Sequence, residues 1–101
     1  MLQQLYVTGV SKLVTIRGTG HFQAVCQALL LKWYEKNYPG THITADNVFT
    51  VWLSKNLQNY KCTVSTNLLD GIYAEYTYNG DKMEIYEDVY KKLTNKKVTE
   101  I

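Results

Sequence analysis

Two turn dipeptides, Asp70-Gly71 and Asn79-Gly80, bracket a stretch that alternates strictly, and no other segment constrains the fold as much. Glycine accepts positive φ at no steric cost, so both dipeptides mark turns, and if Gly80 has positive φ a β-branched residue there would be strained. Between them Ile72, Ala74, Tyr76 and Tyr78 share one face, with Tyr73, Glu75 and Thr77 on the other. That is the pattern of a half-buried strand rich in β-formers. Beyond Gly80 two readings compete. Asn-Gly is a strong hairpin signal, so Lys82 to Asp88 can return as a strand. A two-residue loop, however, would set Glu75 against Glu84, a like-charge pair that sheets disfavour. The helical reading accounts for more residues. Asp81 and Glu84 form a capping-box-like start, Glu87 with Lys91 and Asp88 with Lys92 are i,i+4 pairs, and Ile85, Val89 and Leu93 make an apolar stripe. The expectation is strand, Asn-Gly exit, helix.

Upstream, Met1 to Arg17 holds two short β-prone pieces broken at Gly9 to Lys12, which predicts an extra strand, a hairpin or a poorly ordered leader within residues 1–20. Gly18-Thr19-Gly20 hands over to a helix beginning near His21, with Phe22, Val25, Leu29 and Trp33 at helical spacing. Pro39-Gly40 stops it. Phe49, Val51 and Leu53 then alternate with Val48, Thr50, Trp52 and Ser54, a strand with apolar residues on both faces. After the loop Asn56 to Asn59, Tyr60 to Thr66 returns with Tyr60, Cys62 and Val64 inward. The whole chain reads as a single α+β domain in αβββα order. A helix packs on a three-stranded antiparallel meander, a second helix closes the C-terminus, and an N-terminal strand is a further option.

Composition excludes several classes. With 46% apolar and 20% charged residues over 101 positions, the chain is neither disordered nor a membrane span. No basic region with an uninterrupted apolar core follows Met1, so no signal peptide is evident, and a cytoplasmic location is expected. A net charge of +2 selects no partner by itself. Cys26 and Cys62 give neither a disulfide framework nor a metal site, and buried free thiols are expected.

The candidate chemistry is thin. Gly18-Thr19-Gly20 beside Arg17 has Gln23 where a phosphate-binding fingerprint needs its third glycine, and no Walker lysine follows. His21 and His42 have no acid or cysteine at ligand spacing. Cys62 as a nucleophile would need a distant histidine to approach it. The acids Asp81, Glu84, Glu87 and Asp88 are accounted for by capping and i,i+4 pairing. No catalytic residue, metal or cofactor is expected. Two surfaces remain. Trp52, Tyr73 and Tyr76, with Lys55, Gln58, Asn59 and Lys61, form an aromatic-polar contact surface suited to a protein partner. Lys82, Lys91, Lys92, Lys96 and Lys97, with tyrosines for stacking, form the nucleic-acid alternative.

The strings Trp52, Lys55, Leu57-Gln58-Asn59, Lys61, Ser65-Thr66, Asp70-Gly71, Tyr76 to Lys82 and Tyr86, Asp88, Tyr90-Lys91-Lys92 carry a resemblance. Over about Ile43 to Lys92 the chain resembles a family of small uncharacterised proteins encoded by phages and prophages of low-GC Gram-positive bacteria. Met1 to Gly20 departs from that family, whose members begin near the first helix. The resemblance implies phage origin and residence in the bacterial cytoplasm, and it implies no enzyme. The αβββα order also resembles double-stranded-RNA-binding domains in topology alone, since the loop Asn56 to Asn59 lacks that module's histidine. The function expected is a non-enzymatic phage accessory protein that binds and occludes a host or phage protein, with homodimer formation a further option and no membrane contact.

Overall fold

The structure, a computed structural model, describes residues 13–101. The strand, hairpin or leader expected before Leu13 lies outside the described residues, and 13–17 run without regular secondary structure. One helix, α1 (Thr19–Asn37), is followed by a 3₁₀ turn (Ala45–Asn47) and four strands: β1 (Val48–Asn56), β2 (Asn59–Thr66), β3 (Ile72–Asn79) and β4 (Glu84–Lys91). All neighbours are antiparallel in the order β1-β2-β3-β4. The α+β class stands, but three strands and two helices become four strands and one helix.

Helix α1 starts two residues earlier than expected and ends just before Pro39-Gly40, where proline cannot continue it. Its buried stripe is Phe22, Cys26, Leu30 and Tyr34, four residues apart each time, while Val25, Leu29 and Trp33 flank the stripe rather than forming it. The stripe packs on Val48 of β1, Tyr60, Cys62 and Val64 of β2, and Ile72, Ala74, Tyr76 and Tyr78 of β3. Each large apolar side chain so buried contributes about 1.5–3 kcal/mol. The inward assignments on β2 and β3 therefore hold.

Tyrosine hydroxyls find partners at the rim of this core. The Tyr34 hydroxyl donates to Asp70 at 2.6 Å, while the other Asp70 oxygen accepts from the Ile72 amide at 3.0 Å. This pins the end of α1 to the turn before β3. The Tyr76 hydroxyl donates to Glu87 at 2.6 Å, and the Tyr78 hydroxyl donates to the Val14 carbonyl at 2.5 Å. Burial, and next the carboxylate each donates to, push the Tyr34 and Tyr76 phenols well above the ordinary tyrosine range. Cys26 and Cys62, both buried and free, meet across the helix–sheet contact; the hydrogen bond they share and then burial push the Cys26 thiol up.

The largest correction concerns residues 81–93. Within them Glu84–Lys91 forms β4, not a helix, and Glu87 bonds Tyr76 instead of pairing with Lys91. The connection is a four-residue loop, Gly80 to Met83, so Asn79 pairs with Glu84 and Glu75 falls opposite Asp88. The Glu75–Glu84 pair argued against a hairpin is thus avoided, but a different like-charge pair, Glu75–Asp88, takes its place. It lies on a solvent-facing surface, and Lys61 approaches Glu75 at 3.4 Å. Asn79 builds the loop by accepting from the Asp81 and Lys82 amides at 3.0 and 3.2 Å, an Asx-turn arrangement. The left-handed residue is Met83 (φ 54°), not Gly80. Gly80 is needed for space instead, since a Cβ there would run into the Gln58 carbonyl of the neighbouring turn.

Candidate functional site

Helix α1 covers one face of the sheet, and no described element covers the other. Register arranges the open face in cross-strand rows. The middle row reads Trp52, Thr63, Glu75, Asp88 across β1 to β4. One flanking row reads Phe49, Ser65, Tyr73, Tyr90, and the other reads Ser54, Lys61, Thr77, Tyr86. The exposures are 48% for Phe49, 46% for Trp52, 50% for Tyr86 and 41% for Tyr90. Tyr73 and Tyr90 stack with centroids 5.2 Å apart at 22°.

Trp52 reaches this face by a local irregularity. Strict alternation would put it with Val48 and Thr50, which face α1: Val48 is buried in the core, and Gln27 of α1 donates to the Thr50 hydroxyl at 3.0 Å. A bulge between Thr50 and Trp52 leaves Val51 unpaired and reverses the phase. Leu53 consequently turns toward the core and Trp52 away from it.

The electrostatics of the open face differ from those of the chain. Its rows and the adjoining Asn79–Glu84 pair present three carboxylates, Glu75, Glu84 and Asp88, against one ammonium, Lys61. Glu84 accepts from the Tyr86 hydroxyl at 2.5 Å, which raises that phenol's pKa. Partial burial, then the charges of Glu75 and Asp88, push the Tyr90 phenol up as well, with Lys61 acting the other way. Thr63 lies in the middle of this face, only 9% exposed, and its hydroxyl has no hydrogen-bond partner among the described residues.

The expected contact residues divide. Trp52, Tyr73 and Lys61 are together on the open face. Tyr76 is fully buried against α1 and is unavailable to a partner. Lys55 faces the helix side, its ammonium 5.6 Å from the Tyr60 ring centroid. Gln58 donates to Asp81, and Asn59 accepts from the Gly80 amide at 2.9 Å, so both tie the β1–β2 turn to the β3–β4 turn. Phe49, Thr63, Tyr86, Asp88 and Tyr90 were missed. For the last three the signal was the alternation Tyr86, Asp88, Tyr90, which the helical reading set aside. The lysines of the nucleic-acid alternative do not form one patch. Lys82 sits in the loop before β4 and Lys91 at its far end, roughly 25 Å away at the rise of an extended strand. Lys92 donates its amide to the Gly71 carbonyl at 2.7 Å, and Lys96 and Lys97 follow on an exposed segment without regular secondary structure.

Among the described residues no three His, Cys, Asp or Glu side chains gather as metal ligands, and no helix is long and apolar enough to cross a membrane. Gly18, at φ 125°, caps α1 without a side-chain bond. Arg17 directs its amide to His21 Nδ1 at 2.9 Å. No curated protein and no solved structure matches the chain. Residues 23–100 match the family described as "Family of unknown function (DUF6275)", a span that covers α1 almost whole and the entire sheet, and the chain belongs to that family.

Proposed function

We propose that this chain is a non-enzymatic accessory protein of phage origin, resident in the bacterial host cytoplasm, that docks a protein on the open face of its sheet and occludes it. The observation that carries the reading is the set of four large side chains, Phe49, Trp52, Tyr86 and Tyr90, left about half-exposed on one face. Aromatic anchors of this kind supply large contact area at low entropic cost. The nucleic-acid alternative draws less support, because its lysines are spread along β4 and the tail while the aromatic face is acidic. Phosphates need clustered cations beside the stacking rings.

Capture from infected host cells tests this reading when run with variants. A partner held by the parent should be lost at least tenfold with Trp52→Ala combined with Tyr73→Ala, circular dichroism showing the fold intact. It should be kept when Lys91, Lys92, Lys96 and Lys97 are changed to Glu. The reverse pattern, or capture of nucleic acid that depends on those lysines at physiological salt, would transfer the function to the alternative.

A further inference from the structure

We infer that the open face is built to receive an arginine side chain of a basic protein segment, held between Trp52 and the Glu75–Asp88 pair; this rests on the proposed docking role of that face.

Three observations converge on one spot. The first is charge. Glu75 and Asp88 are direct cross-strand partners, and Lys61, 3.4 Å from Glu75, is the one cation in those cross-strand rows. Adjacent like charges cost stability in a sheet, and a cation arriving from a partner relieves that cost. The second is aromatic framing. On β4, Asp88 stands between Tyr86 and Tyr90 on the same face, and Tyr90 is stacked on Tyr73. Trp52 closes the same row from β1. A guanidinium lies flat on such rings and donates in a fork to carboxylates, which an ammonium cannot do. The third is the Thr63 hydroxyl. It is nine-tenths buried, it stands in register between Trp52 and Glu75, and no group among the described residues bonds it. Buried hydroxyls without partners are costly and uncommon. An N–H donor entering between the indole and the carboxylates satisfies it.

The same features argue against other occupants. A nucleic-acid backbone would bring phosphates against Glu75, Glu84 and Asp88. A second copy docked face to face would set those carboxylates against their own kind, with a single lysine from each chain to offset them.

The test uses the full chain carrying Trp33→Phe, so that Trp52 is the sole tryptophan. Three probes are titrated: the capped peptide Val-Arg-Val-Arg-Val, its Val-Glu-Val-Glu-Val counterpart, and an oligothymidylate. Sedimentation of the free protein is measured alongside. The arginine peptide should change Trp52 fluorescence saturably and bind at least tenfold tighter than the other two probes. Glu75→Gln combined with Asp88→Asn should weaken it at least tenfold without lowering the melting temperature, and replacing Arg by Lys in the peptide should weaken it by a smaller factor. Equal or tighter binding of the acidic peptide, or indifference to the Glu75/Asp88 changes, would overturn the arginine site while leaving the face as a docking surface. Oligothymidylate binding at Trp52 would replace a protein occupant by nucleic acid. A concentration-dependent dimer that already shields Trp52 would replace it by a second copy. Silence at Trp52 with every probe, together with partner capture unaffected by Trp52→Ala, would remove both this inference and the docking reading beneath it.

Discussion

The two faces of this sheet are built from alternate residues of the same strands, and they use the same side chain in opposite ways. On the helix side Tyr60, Tyr76 and Tyr78 are buried, and Phe22 packs on Tyr60 and Tyr78 with centroids 5.1 and 6.3 Å away. The hydroxyls of Tyr76 and Tyr78 are held by Glu87 and the Val14 carbonyl. On the open side Tyr73 and Tyr90 stack on each other, and Tyr86 is half-exposed. A tyrosine with its ring in the core and its hydroxyl satisfied is a structural element. The same ring with one side in water is contact area awaiting a partner. Tyrosine content alone therefore says little, and the face decides the role. Carboxylates follow the same division. Glu87 on the helix side accepts from a buried phenol, whereas Asp88 on the open side is set against another acid.

The comparison is broken most directly by truncating one phenylalanine on each side. Phe22→Ala should cost about 3–5 kcal/mol in chemical unfolding, because a fully buried ring leaves a cavity. Phe49→Ala, half-exposed, should change stability by no more than about 1 kcal/mol. Comparable losses would mean that the open face is covered in solution.

Alkaline titration sharpens the contrast. The Tyr34 and Tyr76 phenols have raised pKa values in the folded chain, so the neutral form is favoured there and the unfolded chain ionises first. Their contribution is complete below the unfolded value of about 10 and is lost as pH rises beyond it, by roughly 1.4 kcal/mol per pH unit for each tyrosine. Urea midpoints measured between about pH 8 and pH 11.5 should be flat and then fall. Tyr76→Phe should make the fall shallower by the share of one such group, roughly 1.4 kcal/mol per pH unit. An unchanged slope in that variant would place the Tyr76 hydroxyl in water.

The smallest effect belongs to the open side. Asp88→Asn removes the charge facing Glu75 and should raise stability by a few tenths of a kcal/mol at low salt, an increment that shrinks as salt screens the pair. A clear loss in thermal unfolding would mean that Asp88 has a favourable role in the free protein.

Local chemistry alone determined several elements. Pro39-Gly40 ended α1, Asp70-Gly71 turned the chain into β3 with Gly71 at φ 77°, and alternation from Ile72 to Tyr78 assigned that strand's faces correctly. Each of these is read from neighbouring residues, where backbone restriction and period-two patterning act directly. Tertiary structure decided β4. Ile85 and Val89 are four residues apart, a spacing shared by one face of a strand and one stripe of a helix, so periodicity could not separate the two. The free edge of β3, the Tyr76–Glu87 bond and the partial burial of Ile85 and Val89 chose the strand. Tertiary structure also decided the candidate site. The bulge at Val51 turned Trp52 outward, and the register set Trp52, Thr63, Glu75 and Asp88, residues from four strands, in one row. No local pattern encodes that row, because its members are joined by backbone hydrogen bonds between strands and not by proximity along the chain.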